Sequence, residues 1–368
     1  MARSRPSASG SGSPTVATIR SEIVRKGATW QAGETPLTAL PESERVAHLG
    51  LRVSDEERAA TQEVIAAANR FSALQVAIAA PSAVDWRNNG GNFVTPIKDQ
   101  KTCGSCVSFA TVGTIESRVN IACRTPGGAR DYSEAFLFYC GCGNCCGTGW
   151  NFAPALNYCQ DTGVALETAF PYTPGDQPCK SGVAVAFKIS GHSTSASAAD
   201  RKAALVRGPV VGGLAVYQDF YAYTSGVYKH VSGALAGYHA VSVVGYDDGQ
   251  RCWICKNSWG PGWGESGFFR IGYGQAEMDT NFLFYEPQVA CPTPTPVDDC
   301  AQYVPYLQRV LVVARGHAGL RACLRYYVCR RGVRPYCSTE ILAVVRVVIA
   351  ILNRCPQYRD SFCRILGA

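Results

Sequence analysis

At 368 residues, 47% hydrophobic and 17% charged, the chain suits one large domain or two to three smaller ones, and its composition excludes wholesale disorder. The formal charge of +7 is unevenly placed: residues 291–368 carry eleven arginines, no lysine and four acids, whereas residues 1–290 carry 24 basic and 24 acidic groups. No apolar run reaches the ~18 residues that a membrane span needs, and no nucleic-acid partner is expected.

The 18 cysteines are hard to keep as free thiols and imply an oxidising compartment with several disulfides. The opening Met1-Ala-Arg-Ser-Arg-Pro-Ser-Ala-Ser-Gly10 lacks the apolar core of a secretory leader, and there is no Asn-x-Ser/Thr acceptor. The expectation is a secreted or lysosome-like location, reached with a leader missing from this sequence or by another route.

Residues 1–16, rich in Ser, Gly, Pro and Arg, read as a mobile tail. A short helix is predicted over Thr18–Lys26, stopped by Gly27, because glycine readily takes the left-handed conformation of a helix end. Ala28-Thr-Trp-Gln-Ala-Gly33 is a loop with one large aromatic. Ser54-Asp-Glu-Glu57 has the form of a capping box, and Val64, Ile65, Ala68, Phe71 and Leu74 recur behind it at helical spacing. Pro81 breaks that helix, and the composition shifts to Gly, aromatic residues and Cys.

From about residue 81 to 290 helices come first, over Cys106–Ala122 and Asp131–Tyr139. Short β-rich runs follow at Val210–Val216, Ala240–Tyr246, Cys252–Lys256 and Phe268–Tyr273, separated by Gly, Asp-Asp-Gly and Pro-Gly signals. This order predicts an α+β fold with two lobes. Pro-Thr-Pro-Thr-Pro at 292–296 is a stiff, extended spacer. Beyond it lie two apolar helical runs, Tyr306–Ala314 and Glu340–Leu352, and six cysteines at 300, 323, 329, 337, 355 and 363. The expected division is 1–80, 81–290 and 291–368.

The sharpest chemical feature is Gln100-Lys-Thr-Cys-Gly-Ser-Cys106, just before an apolar helical run. A thiol is a weak nucleophile until ionised, and a helix N-terminus with a neighbouring imidazolium lowers its pKa from ~8.5 to ~4. Attack on an amide also needs oxyanion donors, which the Gln100 side chain and the Cys106 N–H can supply. Of five histidines, His239 lies at the mouth of an apolar strand in Gly237-Tyr-His-Ala-Val-Ser-Val-Val-Gly-Tyr246. The others lack that setting: His48 and His192 read as polar loop residues, His230 as part of a hairpin, and His317 falls in the C-terminal segment. Asn257, in Lys256-Asn-Ser-Trp-Gly260, can hold one imidazole nitrogen and leave the other facing sulfur.

With separations from Cys106 of 133 to His239 and 151 to Asn257, the constellation resembles that of the papain-like cysteine peptidases. The resemblance covers roughly residues 81–290. It includes Ala83-Val-Asp-Trp-Arg87, Val94-Thr-Pro-Ile-Lys-Asp-Gln100, Tyr132-Ser-Glu134 and Asn257-Ser-Trp-Gly-Pro-Gly-Trp-Gly264. It implies a helical left lobe carrying Cys106, a β-barrel-like right lobe carrying His239 and Asn257, and a substrate cleft between them. Trp259 would shield the Asn257–His239 bond. Substrate-backbone contacts are expected near Cys146-Gly147-Thr148-Gly149, with Gly147, Gly237 and Trp259 as candidates. The position closing the S2 pocket should lie near Thr280–Phe282. Implied disulfides are Cys103 with Cys145 or Cys146, and Cys140 with Cys179. Val107 departs from the family's Trp, which predicts altered packing without loss of activity.

Upstream, Thr29-Trp-Gln-Ala-Gly33 and His48-Leu-Gly50 resemble the short prosegment of cathepsin B-type enzymes. Residues 1–80 would then lie along the cleft in reverse, as an intramolecular inhibitor, until cut near residue 80. No insertion resembles the cathepsin B occluding loop with its paired histidines, which implies endopeptidase action on protein or peptide substrates. No cofactor or metal is expected.

Blander readings compete. Cys103-Gly-Ser-Cys106 has the spacing of a redox pair, but that leaves Gln100, His239 and Asn257 unexplained. The cluster Cys140-Gly-Cys-Gly-Asn-Cys-Cys146 could hold zinc, but no second Cys-x-x-Cys follows at a typical distance. Trp30 can be a plain core aromatic. The C-terminal segment is either a small helical domain stapled by up to three disulfides with solvated arginines, or a basic surface for an anionic lipid, polysaccharide or acidic partner. Excluding Cys106 leaves 17 cysteines, so at least one more is free or pairs between chains. A peptide ligase on the same scaffold and a non-catalytic peptide-binding relative are the rival functions.

Overall fold

The computed structural model describes residues 13–72, 80–128, 130–292, 303–355 and 358–367, which divide into two compact units, one ending at Cys291 and one beginning at Pro292. Most of the expected tail, Leu74, most of the Pro-rich spacer and Cys300 lie outside the described residues.

The first unit opens with α1 (Val16–Arg25), whose N-terminus is capped by the Thr15 side chain and which buries Ile19 and Ile23. β1 (Gln31–Ala32), α2 (Glu42–Val46) and α3 (Asp55–Ser72) follow. The capping box forms as read: the Glu57 N–H donates to Ser54 Oγ at 3.1 Å and the Ser54 N–H to Glu57 Oε2 at 3.2 Å. Its apolar stripe does not pack as expected. Only Ile65 is buried, while Val64 and Phe71 are exposed. α3 instead meets its neighbours through polar atoms, Arg58 to Glu277 at 2.6 Å and Gln62 to Asn281 at 2.7 Å.

After β2 (Ala83–Asp85), α4 (Cys106–Ala122) runs through the centre of the helical lobe, buried from Cys106 to Asn120. It has no solvent face, hence its mostly apolar and small-residue sequence; the exceptions, Glu116, Arg118 and Asn120, are buried and hydrogen-bonded to Thr95, Glu286 and the Phe93 carbonyl. The helix expected over Asp131–Tyr139 is reduced to a short stretch ending in a widened turn, Phe136–Cys140. α5 (Phe152–Asp161) and the β3–β4 pair (Val164–Ala165 and Val185–Phe187) complete the lobe. Val107 is fully buried in its core.

The other lobe holds β5 (Gly191–Ser195), α6 (Ala198–Arg207), β6 (Val210–Tyr217), β7 (Tyr223–Ser225), β8 (Val227–Tyr228), β9 (Leu235–Asp247), β10 (Cys252–Lys256), β11 (Phe268–Gly272) and β12 (Phe284–Gln288). Its eight-stranded sheet has the order β5-β12-β6-β9-β10-β11-β8, with β2 added against β9. The barrel-like lobe of the sequence reading is therefore corrected to an open, curved path: among the described residues β5 and β8 do not pair. β1 forms a separate antiparallel pair with β7, so the N-terminal segment extends the β-rich lobe.

Disulfides join Cys103–Cys146, Cys140–Cys179, Cys142–Cys145 and Cys123–Cys291. All four cysteines of the 140–146 cluster are consumed, which leaves no thiolate there for zinc. Cys106, Cys159, Cys252 and Cys255 are free thiols, all buried.

In the second unit α7 (Val304–Gly316), α8 (Ala318–Tyr327), α9 (Thr339–Arg354) and α10 (Arg359–Ile365) surround a core that includes Leu311, Leu324, Val348, Leu352 and Phe362. Cys323–Cys337 and Cys329–Cys363 staple it, and Cys355 is also disulfide-bonded. Such staples compensate for the small core of a short domain.

Candidate active site

Cys106 begins α4, so its N–H is one of the helix donors without an intrahelical acceptor. His239 lies on β9, opposite Leu214 of β6, and Asn257 directly follows β10. The His239 Nε2–Asn257 Oδ1 distance is 2.7 Å, and His239 Nδ1 has no hydrogen-bond partner among the described residues. Trp259 covers this pair, its ring 4.6 Å from the imidazole. Gln100 is fixed by Ser258 Oγ, which donates to its Oε1 at 2.6 Å, and by its own N–H donating to the Ser258 carbonyl at 2.9 Å. The loop after β10 thus holds both the amide and, through Asn257, the imidazole.

The N-terminal segment covers these groups. Gln100 Nε2 donates to the His48 carbonyl at 3.0 Å, placing a backbone carbonyl where an oxyanion donor points. Gly50 packs so closely on Gly104 that a Cβ there would lie 1.9 Å from the Gly104 carbonyl oxygen. The Leu51 N–H donates to the Tyr238 carbonyl at 3.2 Å, and Trp150 binds Gly50 and Arg52 through its N–H (2.7 Å) and carbonyl (2.9 Å). The Leu51 side chain is buried with Trp150, Ala240 and Phe282, beside a groove of about 470 Å³. Of the 280–282 stretch, Asn281 and Phe282 both line this groove, and Phe282 is the one buried with Leu51.

A Cβ on Gly147 would meet nothing within 4 Å, whereas one on Gly149 would lie 2.1 Å from the Gly50 carbonyl oxygen, so the covering segment approaches this stretch at Gly149. One expectation is corrected. His48 is not a polar-loop residue. It is buried, its Nδ1 lies 2.8 Å from the Glu44 carbonyl, and its ring meets Trp259 edge-on. The position before Leu49-Gly50 was the only sequence signal for it. Gly237 does face the covering segment, packing against Leu49.

Burial also sets the charge states. It pushes the Cys106 thiol up to about 11, against the pull of nearby backbone N–H groups that include those of Ala240, Gly50 and Val107. It pushes His239 down to about 4, against the Asn257 hydrogen bond. The low thiol pKa expected from the helix N-terminus is therefore absent in this covered form, because water is excluded from both groups and the neutral pair is favoured. His48 is held below the usual imidazole value, also by burial.

Residues 80–284 match the family model described as papain family cysteine protease. Cysteine proteinase 1 of Entamoeba histolytica is 35% identical over 69% of this chain and 80% of its own length. A gut-specific cysteine proteinase of Caenorhabditis elegans is 34% identical over 60% of this chain and 74% of its own. Among solved structures, procathepsin L2 from the larval midgut of Tenebrio molitor matches with a TM-score of 0.58 and 26% identity, covering 73% of this chain and 88% of that one. Procathepsin B S9 of Trypanosoma congolense shares the fold, with a TM-score of 0.60 at 22% identity over 75% of this chain and 99% of its own.

Proposed function

Because this chain belongs to the papain family of cysteine proteases, we propose that Cys106, His239, Asn257 and Gln100 carry its reaction. The protein is a cysteine endopeptidase made as a zymogen. The observation that carries the residue assignment is the His48 carbonyl on Gln100 Nε2, beside a His239 that Asn257 holds by Nε2 with Nδ1 left free. A substrate carbonyl in the place of His48 would meet the same donor.

Once the prosegment leaves, water and the open helix N-terminus favour the Cys106 thiolate and the His239 imidazolium. Sγ attacks the scissile carbonyl carbon, and Gln100 Nε2 with the Cys106 N–H holds the oxyanion. Collapse breaks the C–N bond as His239 gives its proton to the leaving amine, leaving a thioester. His239 then takes a proton from water, whose oxygen attacks the thioester carbon; collapse breaks the C–S bond and releases the acid and the Cys106 thiolate, restoring its pair with the His239 imidazolium. Leu51 in the pocket with Phe282 suggests a preference for a medium-sized apolar side chain there. Trp150 and Gly149, with Gly237, are the proposed backbone contacts.

The proposed division is 1–80, 81–290 and 291–368, with activation by cleavage near residue 80. The disulfides support an oxidising, secreted or lysosome-like compartment, and among the described residues no helix is long and apolar enough to cross a membrane. The basic C-terminal unit is proposed to meet an anionic surface or polymer. A peptide-like epoxide inhibitor tests the site: with residues 1–80 removed, mass spectrometry should find the adduct on Cys106, faintly or not at all on the intact zymogen, and never in Cys106→Ala. A trimmed, folded protein that stays unlabelled at Cys106 would refute the assignment.

A further inference from the structure

In the second unit, residues 330–336 join α8 to α9 in the sequence Arg330-Arg331-Gly332-Val333-Arg334-Pro335-Tyr336. Both flanks are covalently pinned, Cys329 to Cys363 on α10 and Cys337 to Cys323 on α8. Inside, the Arg331 N–H donates to the Arg325 carbonyl at 3.0 Å. The loop is thus a fixed projection.

Its side chains combine two chemistries. Val333 and Tyr336 are 92% and 94% exposed, the most exposed large hydrophobics among the described residues. Single exposed apolar residues are ordinary, but two within four positions on a stapled loop are not. Around them Arg330, Arg331 and Arg334 are exposed, and none pairs with a carboxylate among the described residues. Only Glu340 and Asp360 are acidic among the described residues of this unit beyond Pro292.

Building on the reading that this unit meets an anionic surface, we propose that the 330–336 loop docks on an anionic phospholipid bilayer, with Val333 and Tyr336 entering the interface. Arginines draw the loop to acidic headgroups. Tyrosine favours the headgroup level, with its ring in the apolar region and its hydroxyl in the wet one, and Val333 adds buried apolar area. A sulfated polysaccharide would satisfy the arginines but leave Val333 without a partner, which is why lipid fits better. The catalytic unit ends at Cys291, tied to Cys123 of α4's C-terminus, so loss of residues 1–80 leaves the loop attached. The active peptidase would then work at a membrane surface.

The test uses the full chain with phosphatidylcholine vesicles, with and without phosphatidylserine, and with immobilised heparin. Wild type should bind only the phosphatidylserine vesicles and leave them as salt is raised. R330Q/R331Q/R334Q should weaken that binding about 100-fold at low salt, roughly five-fold per cation, and more than R309Q/R315Q/R364Q, which removes equal charge elsewhere. V333S/Y336S should lose about ten-fold on vesicles and nothing on heparin. Unaltered melting temperature and Cys106 labelling would show that the variants are folded. Wild-type vesicle binding by V333S/Y336S, or equal losses in the two arginine sets, overturns the loop. Binding to heparin without binding to vesicles overturns the lipid but keeps the broader anionic reading; binding to neither removes both.

Discussion

Residues 16–40 of the prosegment hold the catalytic unit through buried apolar surface. Trp30 is 2% exposed, packs at 5.2 Å from the Tyr228 ring, donates from Nε1 to the Lys229 carbonyl at 2.9 Å, and precedes a strand that pairs with β7. By contrast α3, on the far side of the cleft crossing, buries one apolar residue and leans on the Arg58–Glu277 pair and the Gln62–Asn281 contact. Buried aromatics contribute several kcal/mol, whereas half-exposed ion pairs contribute ~0–1 kcal/mol. The first half is the anchor and the second is a weakly held lead to the proposed cleavage point near residue 80. The stretch 48–52 between them depends on the anchor to stay over Cys106.

The largest effect that sharpens this contrast should come from Trp30→Ala. Loss of a buried tryptophan costs ~3–5 kcal/mol, so inhibition of the trimmed enzyme by added prosegment should weaken by two to three orders of magnitude. A loss below ten-fold would mean that the anchor lies elsewhere.

A smaller effect concerns pH. His48 and His239 are both held below the usual imidazole value while the segment is docked. On undocking the His239 imidazolium takes its proton from the Cys106 thiol, so that pair holds one proton in both states. His48 alone makes the undocked state bind more, and docking is full above about pH 6.5 and weakens as pH falls below it, by up to ~1.4 kcal/mol per pH unit. The charged and titratable groups acting on His48 are Glu44, Asp99, Lys101 and His239. His48→Gln should remove most of the pH dependence of inhibition while keeping the residue-48 backbone carbonyl on Gln100. An unaltered slope would assign the pH response to other groups. The smallest effect is expected from Arg58→Ala, which removes a partly exposed ion pair to Glu277; its cost to inhibition should stay within ~1 kcal/mol. A loss as large as that of Trp30→Ala would erase the distinction between the halves.

The residues proposed as nucleophile, base, orienting amide and oxyanion donor were legible because each sits in a local run of distinctive residues, at separations that a single chain displays. The capping box at Ser54 and the strand Cys252–Lys256 were legible for the same reason, as short-range patterns. Less legible was the fate of Val64 and Phe71, since helical spacing marks a potential apolar face without saying what stands opposite it. The barrel-like lobe proved an open sheet because closure depends on which edge strands meet, and no single strand encodes that.

From sequence alone came the chemistry: a thiol at a helix start, an imidazole on a strand, an amide behind it, and a basic segment stapled by cysteines. Only the tertiary structure decided how that chemistry is held silent. The His48 carbonyl on Gln100, Leu51 against Phe282, Gly50 against Gly149, and a thiol raised to about 11 all arise between segments tens to hundreds of residues apart. Burial and dielectric belong to the space around a group, and that space exists only once the chain has folded back over its own site.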